Sequence, residues 1–233
     1  MFVKICANTT LSDTLLSVKA GADAVGFVFA PSKRQVTASE VAGITRDLPG
    51  GIVKIGVFDS QDANEIIRDV ETAALTGVQL HGALDLPLAQ ELRRHFSRGV
   101  LLIQTLHWQI DNPDAEASVR AGLHAAAQEK LRLGALTRPL FDAILLDSRL
   151  ADSPSGGTGR SFDWTHAARL LAEIKSPPRI LLAGGLNPGN VAEAIQALHP
   201  WGVDVASGTE LSPGKKDPEK IRAFLRNARA AAK

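Results

Sequence analysis

The feature that most constrains this chain is an alternation. Short apolar runs rich in Val, Ile and Leu recur along it, each followed by a longer stretch with the apolar spacing of a helix. βα units around a parallel sheet produce this pattern, because strands covered by helices are apolar on both faces. Eight such runs occupy residues 2–6, 24–29, 52–58, 77–80, 100–106, 143–146, 180–183 and 203–206. The stretches between and after them, 11–20, 38–48, 63–74, 86–96, 115–133, 165–174, 188–198 and 218–229, read as helices. Thr37 or Ser39, Asp163, Asn187 with Pro188, and Asp217 with Pro218 stand where helix starts require a cap. Eight evenly spread units in 233 residues favour closure over an open sheet. The expected fold is therefore α/β, a single (β/α)8 TIM barrel over residues 1–233. The spacing is irregular only at about 107–141, an extended connection between the fifth and sixth strands. It reads as a helix with a loop at each end, a tolerated surface insertion in preference to a lid or subunit contact.

Lys and Arg number 26 against 25 Asp and Glu, a net charge of +1, so no global bias points to nucleic acid or a membrane surface. A small soluble ligand is the expected partner. Cys6 is the only cysteine, which excludes an intramolecular disulfide and a multi-cysteine metal site. A reducing cytoplasm fits the lone cysteine; no basic segment leads into an apolar stretch at the N-terminus, so no signal peptide is expected, and no apolar run reaches membrane-spanning length.

In a β/α barrel the functional face lies where strands end, which singles out Cys6, Arg34, His81, Asp147, Gly184 with Gly185, and Asp204 with Ser207 and Gly208. Strand parity puts Lys4 and Cys6 on one face, and Ala143, Leu145 and Asp147 on another. A lone strand cysteine is more often an inert core residue than a reactive one. Its place at a strand mouth beside an inward lysine favours an ionised thiol instead. Asp147 serves equally as a local backbone cap or as an acid. Gly156, Gly157 and Gly159, then Gly184 and Gly185, then Ser207 and Gly208, follow strands six, seven and eight. There glycines either turn the chain or let its backbone approach a phosphate, and phosphate is preferred. Arg34 is a solvated charge or a fork for a carboxylate, and His81 is a satisfied rim residue or a ligand contact.

Taken in order, Lys4-Ile5-Cys6, Gly26-Phe27-Val28-Phe29 with Ser32-Lys33-Arg34, Gln79-Leu80-His81-Gly82, Leu145-Leu146-Asp147-Ser148, Gly156-Gly157-Thr158-Gly159, Ala183-Gly184-Gly185-Leu186-Asn187-Pro188 and Val203-Asp204-Val205 through Lys216-Asp217 span nearly the whole chain. This ordered set closely resembles the phosphoribosylanthranilate isomerases of tryptophan biosynthesis. The resemblance implies a β/α barrel that performs an Amadori rearrangement, with Cys6 as general base and Asp147 as general acid. It implies that Arg34 holds the substrate carboxylate, that His81 and Asp204 lie near the substrate, and that Gly157, Gly159, Gly184, Gly185, Ser207 and Gly208 hold its phosphate. No metal or organic cofactor is required, since the substrate nitrogen is the electron sink, and the chain is expected to act as a monomer or homodimer. Lys4 is expected to depress the Cys6 pKa, and burial under substrate to raise that of Asp147. Several residues depart from the family pattern: Ala7 for a glycine, Ala206 for a serine, Thr209 for a valine, and Asp59-Ser60 after Phe58. Ala7 is the one that bears on the site, since a methyl group there excludes a positive φ or crowds the substrate. Two other readings stay open: an Amadori-type isomerase acting on another phosphoribosyl-amine, and a non-catalytic sugar-phosphate sensor.

Overall fold

In a computed structural model, residues 1–96, 99–110, 112–133, 139–149 and 163–232 are described. Eight parallel strands form one closed barrel: β1 (Phe2–Ile5), β2 (Ala24–Val28), β3 (Val53–Phe58), β4 (Gly77–Leu80), β5 (Leu101–Gln109), β6 (Ala143–Arg149), β7 (Ile180–Leu182) and β8 (Gly202–Val205). Phe2 to Ile5 pair in register with Gly202 to Val205, closing the ring. Helices α1 (Leu11–Lys19), α2 (Ala38–Thr45), α3 (Ala63–Thr72), α4 (Leu86–Phe96), α5 (Ala115–Leu133), α6 (Trp164–Glu173), α7 (Val191–Leu198) and α8 (Pro218–Ala231) follow the strands in turn. After β8 come a single 3-10 turn (Ser207–Thr209) and a small antiparallel pair, β9 (Glu210–Ser212) and β10 (Lys215–Lys216).

Two apolar clusters account for the closure. Ala24, Ile55, Ile103, Ala143, Leu145, Leu181 and Ala183 fill the barrel interior. Their strand neighbours, such as Val25, Val78, Leu102, Ile144 and Leu182, pack outward against the helices. Most strand residues are buried whichever face they point to, which is why the sequence shows predominantly apolar runs there.

Helix starts follow the polar signals, with one exception. Thr37, not Ser39, caps α2 and forms a reciprocal capping box with Glu40. Asp163 caps α6, and Asp217 with Pro218 starts α8. Asn187 with Pro188 does not start α7, which begins at Val191; Asn187 Oδ1 instead accepts from Gly189 N at 2.8 Å and closes its own turn. Strand β5 is also longer than its apolar run, which stops at Leu106. β5 runs on through His107, Trp108 and Gln109, paired with Asp147, Ser148 and Arg149 of β6, so the long connection begins only after residue 109. Among the described residues no helix is long and apolar enough to cross a membrane.

Candidate active site

The strand ends surround a cavity of about 200 Å³. Below it a polar layer crosses the barrel. The fully buried Lys4 of β1 donates to Gln79 Oε1 of β4 (2.9 Å) and to Asp204 Oδ1 of β8 (3.1 Å). Gln79 Nε2 in turn donates to Thr105 Oγ1 of β5 at 3.3 Å. A buried charge needs such partners, because a lone ammonium in a dry core costs several kcal/mol. Burial pulls the Lys4 pKa down, but Asp204 and Cys6 beside it outweigh that effect and the ammonium is retained.

Cys6 stands just above Lys4 on the same inward side, as parity requires, and is buried. Room for both comes from β2: a Cβ on Gly26 would lie 2.7 Å from Cys6 Sγ and 3.1 Å from Lys4 Cε. The expectation that Lys4 depresses the thiol pKa is corrected. Burial pushes the Cys6 thiol up, and Lys4, though opposing, does not overcome it. Ala7, next in the chain, adopts φ +61°, so its methyl group does not exclude a positive φ; the residue accepts the left-handed backbone a glycine would take. From the far side the buried Lys216 clamps this corner, with Nζ donating to the carbonyls of Cys6 (2.5 Å) and Ala206 (3.2 Å).

Across the cavity Asp147 lies on β6, in register with His107 of β5. Neighbouring residues in register on parallel strands share a face, and His107 Nδ1 stands 3.6 Å from Asp147 Oδ2. His81 follows β4 and meets His107 edge to face, with ring centroids 4.6 Å apart. Burial first, then the neighbouring His107, lowers the His81 pKa to about 4, so this imidazole is neutral at pH 7.

Arg34 lines the cavity but is already engaged: Nε and Nη2 grip the buried Glu210 carboxylate at 2.7–3.1 Å. The expected fork is therefore half used. Among the described residues nothing bonds Nη1, which is left for a ligand. Gly184, Gly185 and Ser207 line the cavity, whereas Gly208 sits behind them in the 3-10 turn. Gly184 takes φ +82°, and a Cβ there would stand 2.2 Å from Ser148 N, so no other residue fits. Asn190 Nδ2 donates to Gly185 O at 3.0 Å and Asn190 Oδ1 accepts from Asn187 N at 2.8 Å, bracing this turn. Gly157 and Gly159 lie outside the described residues.

Thus Cys6, Arg34, His81, Asp147, Asp204, Gly184, Gly185 and Ser207 meet at one cavity. Gln79, Asp59, His107, Glu210, Lys216 and Asn190 line or brace this region but were given no site role from sequence. Parity would have found Gln79, two residues before His81 on an inward face. Glu210 and Lys216 look like solvated loop charges, and no local signal shows that they are buried.

A closed parallel barrel that brings a thiol, a carboxyl group and two glycine-bearing turns to one cavity defines a β/α-barrel enzyme built for acid–base chemistry on a small ligand. The family model described as N-(5'phosphoribosyl)anthranilate (PRA) isomerase matches residues 3–227, and the chain belongs to that family. The N-(5'-phosphoribosyl)anthranilate isomerase of Deinococcus radiodurans is 38% identical over 224 residues, 96% of this chain and 94% of that one. The crystal structure of phosphoribosyl anthranilate isomerase from Thermotoga maritima superposes with a TM-score of 0.81 at 33% identity, covering 99% of both chains. A structure of phosphoribosyl anthranilate isomerase in complex with reduced 1-(o-carboxyphenylamino)-1-deoxyribulose 5-phosphate gives a TM-score of 0.77 at 32% identity, again over 99% of both chains.

Proposed function

We infer that this chain isomerises N-(5'-phosphoribosyl)anthranilate to 1-(2-carboxyphenylamino)-1-deoxyribulose 5-phosphate in tryptophan biosynthesis, with Asp147 as general acid and Cys6 as general base. Asp147 gives its proton to the ribose ring oxygen as the C1′–O bond breaks, and the nitrogen lone pair closes a C1′=N iminium. The Cys6 thiolate then removes the proton on C2′, and the C–H electrons flow to the iminium nitrogen to leave an enolamine. That enolamine becomes the ketone as its hydroxyl proton departs and C1′ gains one. Each proton transfer contributes roughly a hundred- to ten-thousand-fold in rate.

The observation that carries this reading is the placement of Cys6 and Asp147 at the mouth of one cavity, with the retained Lys4 ammonium beside the thiol. Burial makes the thiolate scarce but strongly basic once formed, and Lys4 steadies it. Arg34 Nη1 is the donor for the substrate carboxylate, Asp204 and His81 face the ribose, and Gly184, Gly185, Ser207 and Gly208, with Gly157 and Gly159, form the phosphate end. The partner is a small molecule, neither nucleic acid nor membrane, and the location is the cytoplasm. The chain acts as a monomer or homodimer; a Thermotoga maritima relative is described as dimeric. Expression in a tryptophan auxotroph lacking this isomerase step should restore growth without tryptophan. Failure with soluble, folded protein would reject the assignment.

A further inference from the structure

We propose that His81, His107 and Asp147 form a binding site for one divalent transition-metal ion of the zinc class, and that filling it switches turnover off. The ligand atoms of the three side chains all lie within 4.8 Å of one another. Two imidazoles and a carboxylate suit zinc, cobalt or nickel, whereas magnesium and calcium prefer oxygen ligands alone. Ligands of a tetrahedral ion, each about 2.0–2.2 Å from the metal, stand about 3.3–3.6 Å apart. His107 Nδ1 and Asp147 Oδ2, at 3.6 Å, already have that spacing, and His81 offers its ligand atom within 4.8 Å of the other two residues'.

The histidines are set as ligands. His107 Nε2 lies 2.7 Å from the carbonyl oxygen of His81. A carbonyl only accepts, so Nε2 carries the hydrogen, and in the neutral ring Nδ1 presents a bare lone pair toward Asp147. This is the carbonyl support that orients metal-bound histidine. His81 Nδ1 and His107 Nδ1 are both buried, and neither has a hydrogen-bond partner among the described residues. Leaving a buried polar atom unpaired costs about 1–3 kcal/mol, a cost that an ion bound to both would remove. Three protein ligands leave a fourth position open to the cavity.

That occupation silences the enzyme rests on Asp147 being the general acid: a carboxylate bound to a metal has no proton to give. The binding itself does not depend on that reading. The test titrates chelator-stripped protein with zinc chloride by calorimetry and with cobalt(II) by visible absorption. One ion per chain is expected, with binding intact in Cys6→Ala, which rules out the thiol, and weakened at least tenfold in both His107→Gln and His107→Asn, each checked for folding by circular dichroism. Zinc should inhibit the native protein, chelator should restore it, and His107→Gln, compared with its own metal-free rate, should resist. No binding, binding unchanged in both His107 variants, or binding lost in Cys6→Ala would overturn the site. Binding with the expected residue dependence but without inhibition would uphold the site and count instead against Asp147 as the acid.

Discussion

Ala7 holds a left-handed backbone directly after Cys6 while its methyl group is buried. The conformation costs a non-glycine residue about 1–2 kcal/mol. Glycine would relieve this but lose about 0.8 kcal/mol of methyl burial and about 0.5–1 kcal/mol of backbone entropy. The effects nearly cancel, so Ala7→Gly should change the unfolding free energy by less than about 1 kcal/mol in urea titrations. Ala24→Gly, equally buried in β2 but with no such strain to relieve, should cost about 1.3–1.8 kcal/mol. Equal costs would mean that Ala7 is unstrained. At this scale parity and strand ends made Cys6, Lys4 and Asp147 legible in sequence. Arg34 was legible only in part, because its partner Glu210 lies 176 residues away and nothing local shows the pairing.

The βα units were readable because most strand residues are buried whichever face they point to and most helices begin at a polar cap. Two boundaries were not. His107, Trp108 and Gln109 look like loop residues, yet β6 supplies a ladder for them, and that pairing across the long connection is what sets His107 beside Asp147. The asparagines before α7 look like caps but hold the β7–α7 turn instead. Asn190→Ala removes the bonds to Gly185 O and Asn187 N and so loosens the turn carrying Gly184. Its expected signature in steady-state kinetics is a KM raised about tenfold with kcat much less changed, the loss of about 1.4 kcal/mol of substrate binding. An unchanged KM would show that the turn does not hold substrate.

For the molecule as a whole, barrel closure collects groups from distant strands and forces His81 to be buried neutral. Its pKa falls from 6.5 to about 4 on folding, burial being the main cause. The unfolded chain therefore binds the extra proton between those values. The corresponding stability is complete above pH 6.5 and drains away as pH falls through about 4, up to about 3 kcal/mol in all. With chelator present, urea unfolding should show the native protein losing more stability than His81→Asn between pH 7 and pH 4. Parallel slopes would contradict this. The central claim is that closure sets Cys6 and Asp147 to work as base and acid on one substrate. Loss of anthranilate-type fluorescence from freshly prepared phosphoribosylanthranilate measures that directly. The native chain should consume the substrate, and Cys6→Ala and Asp147→Asn should each fall at least about a hundredfold in kcat with folding intact. Either variant remaining within a few-fold of the native rate would contradict the account.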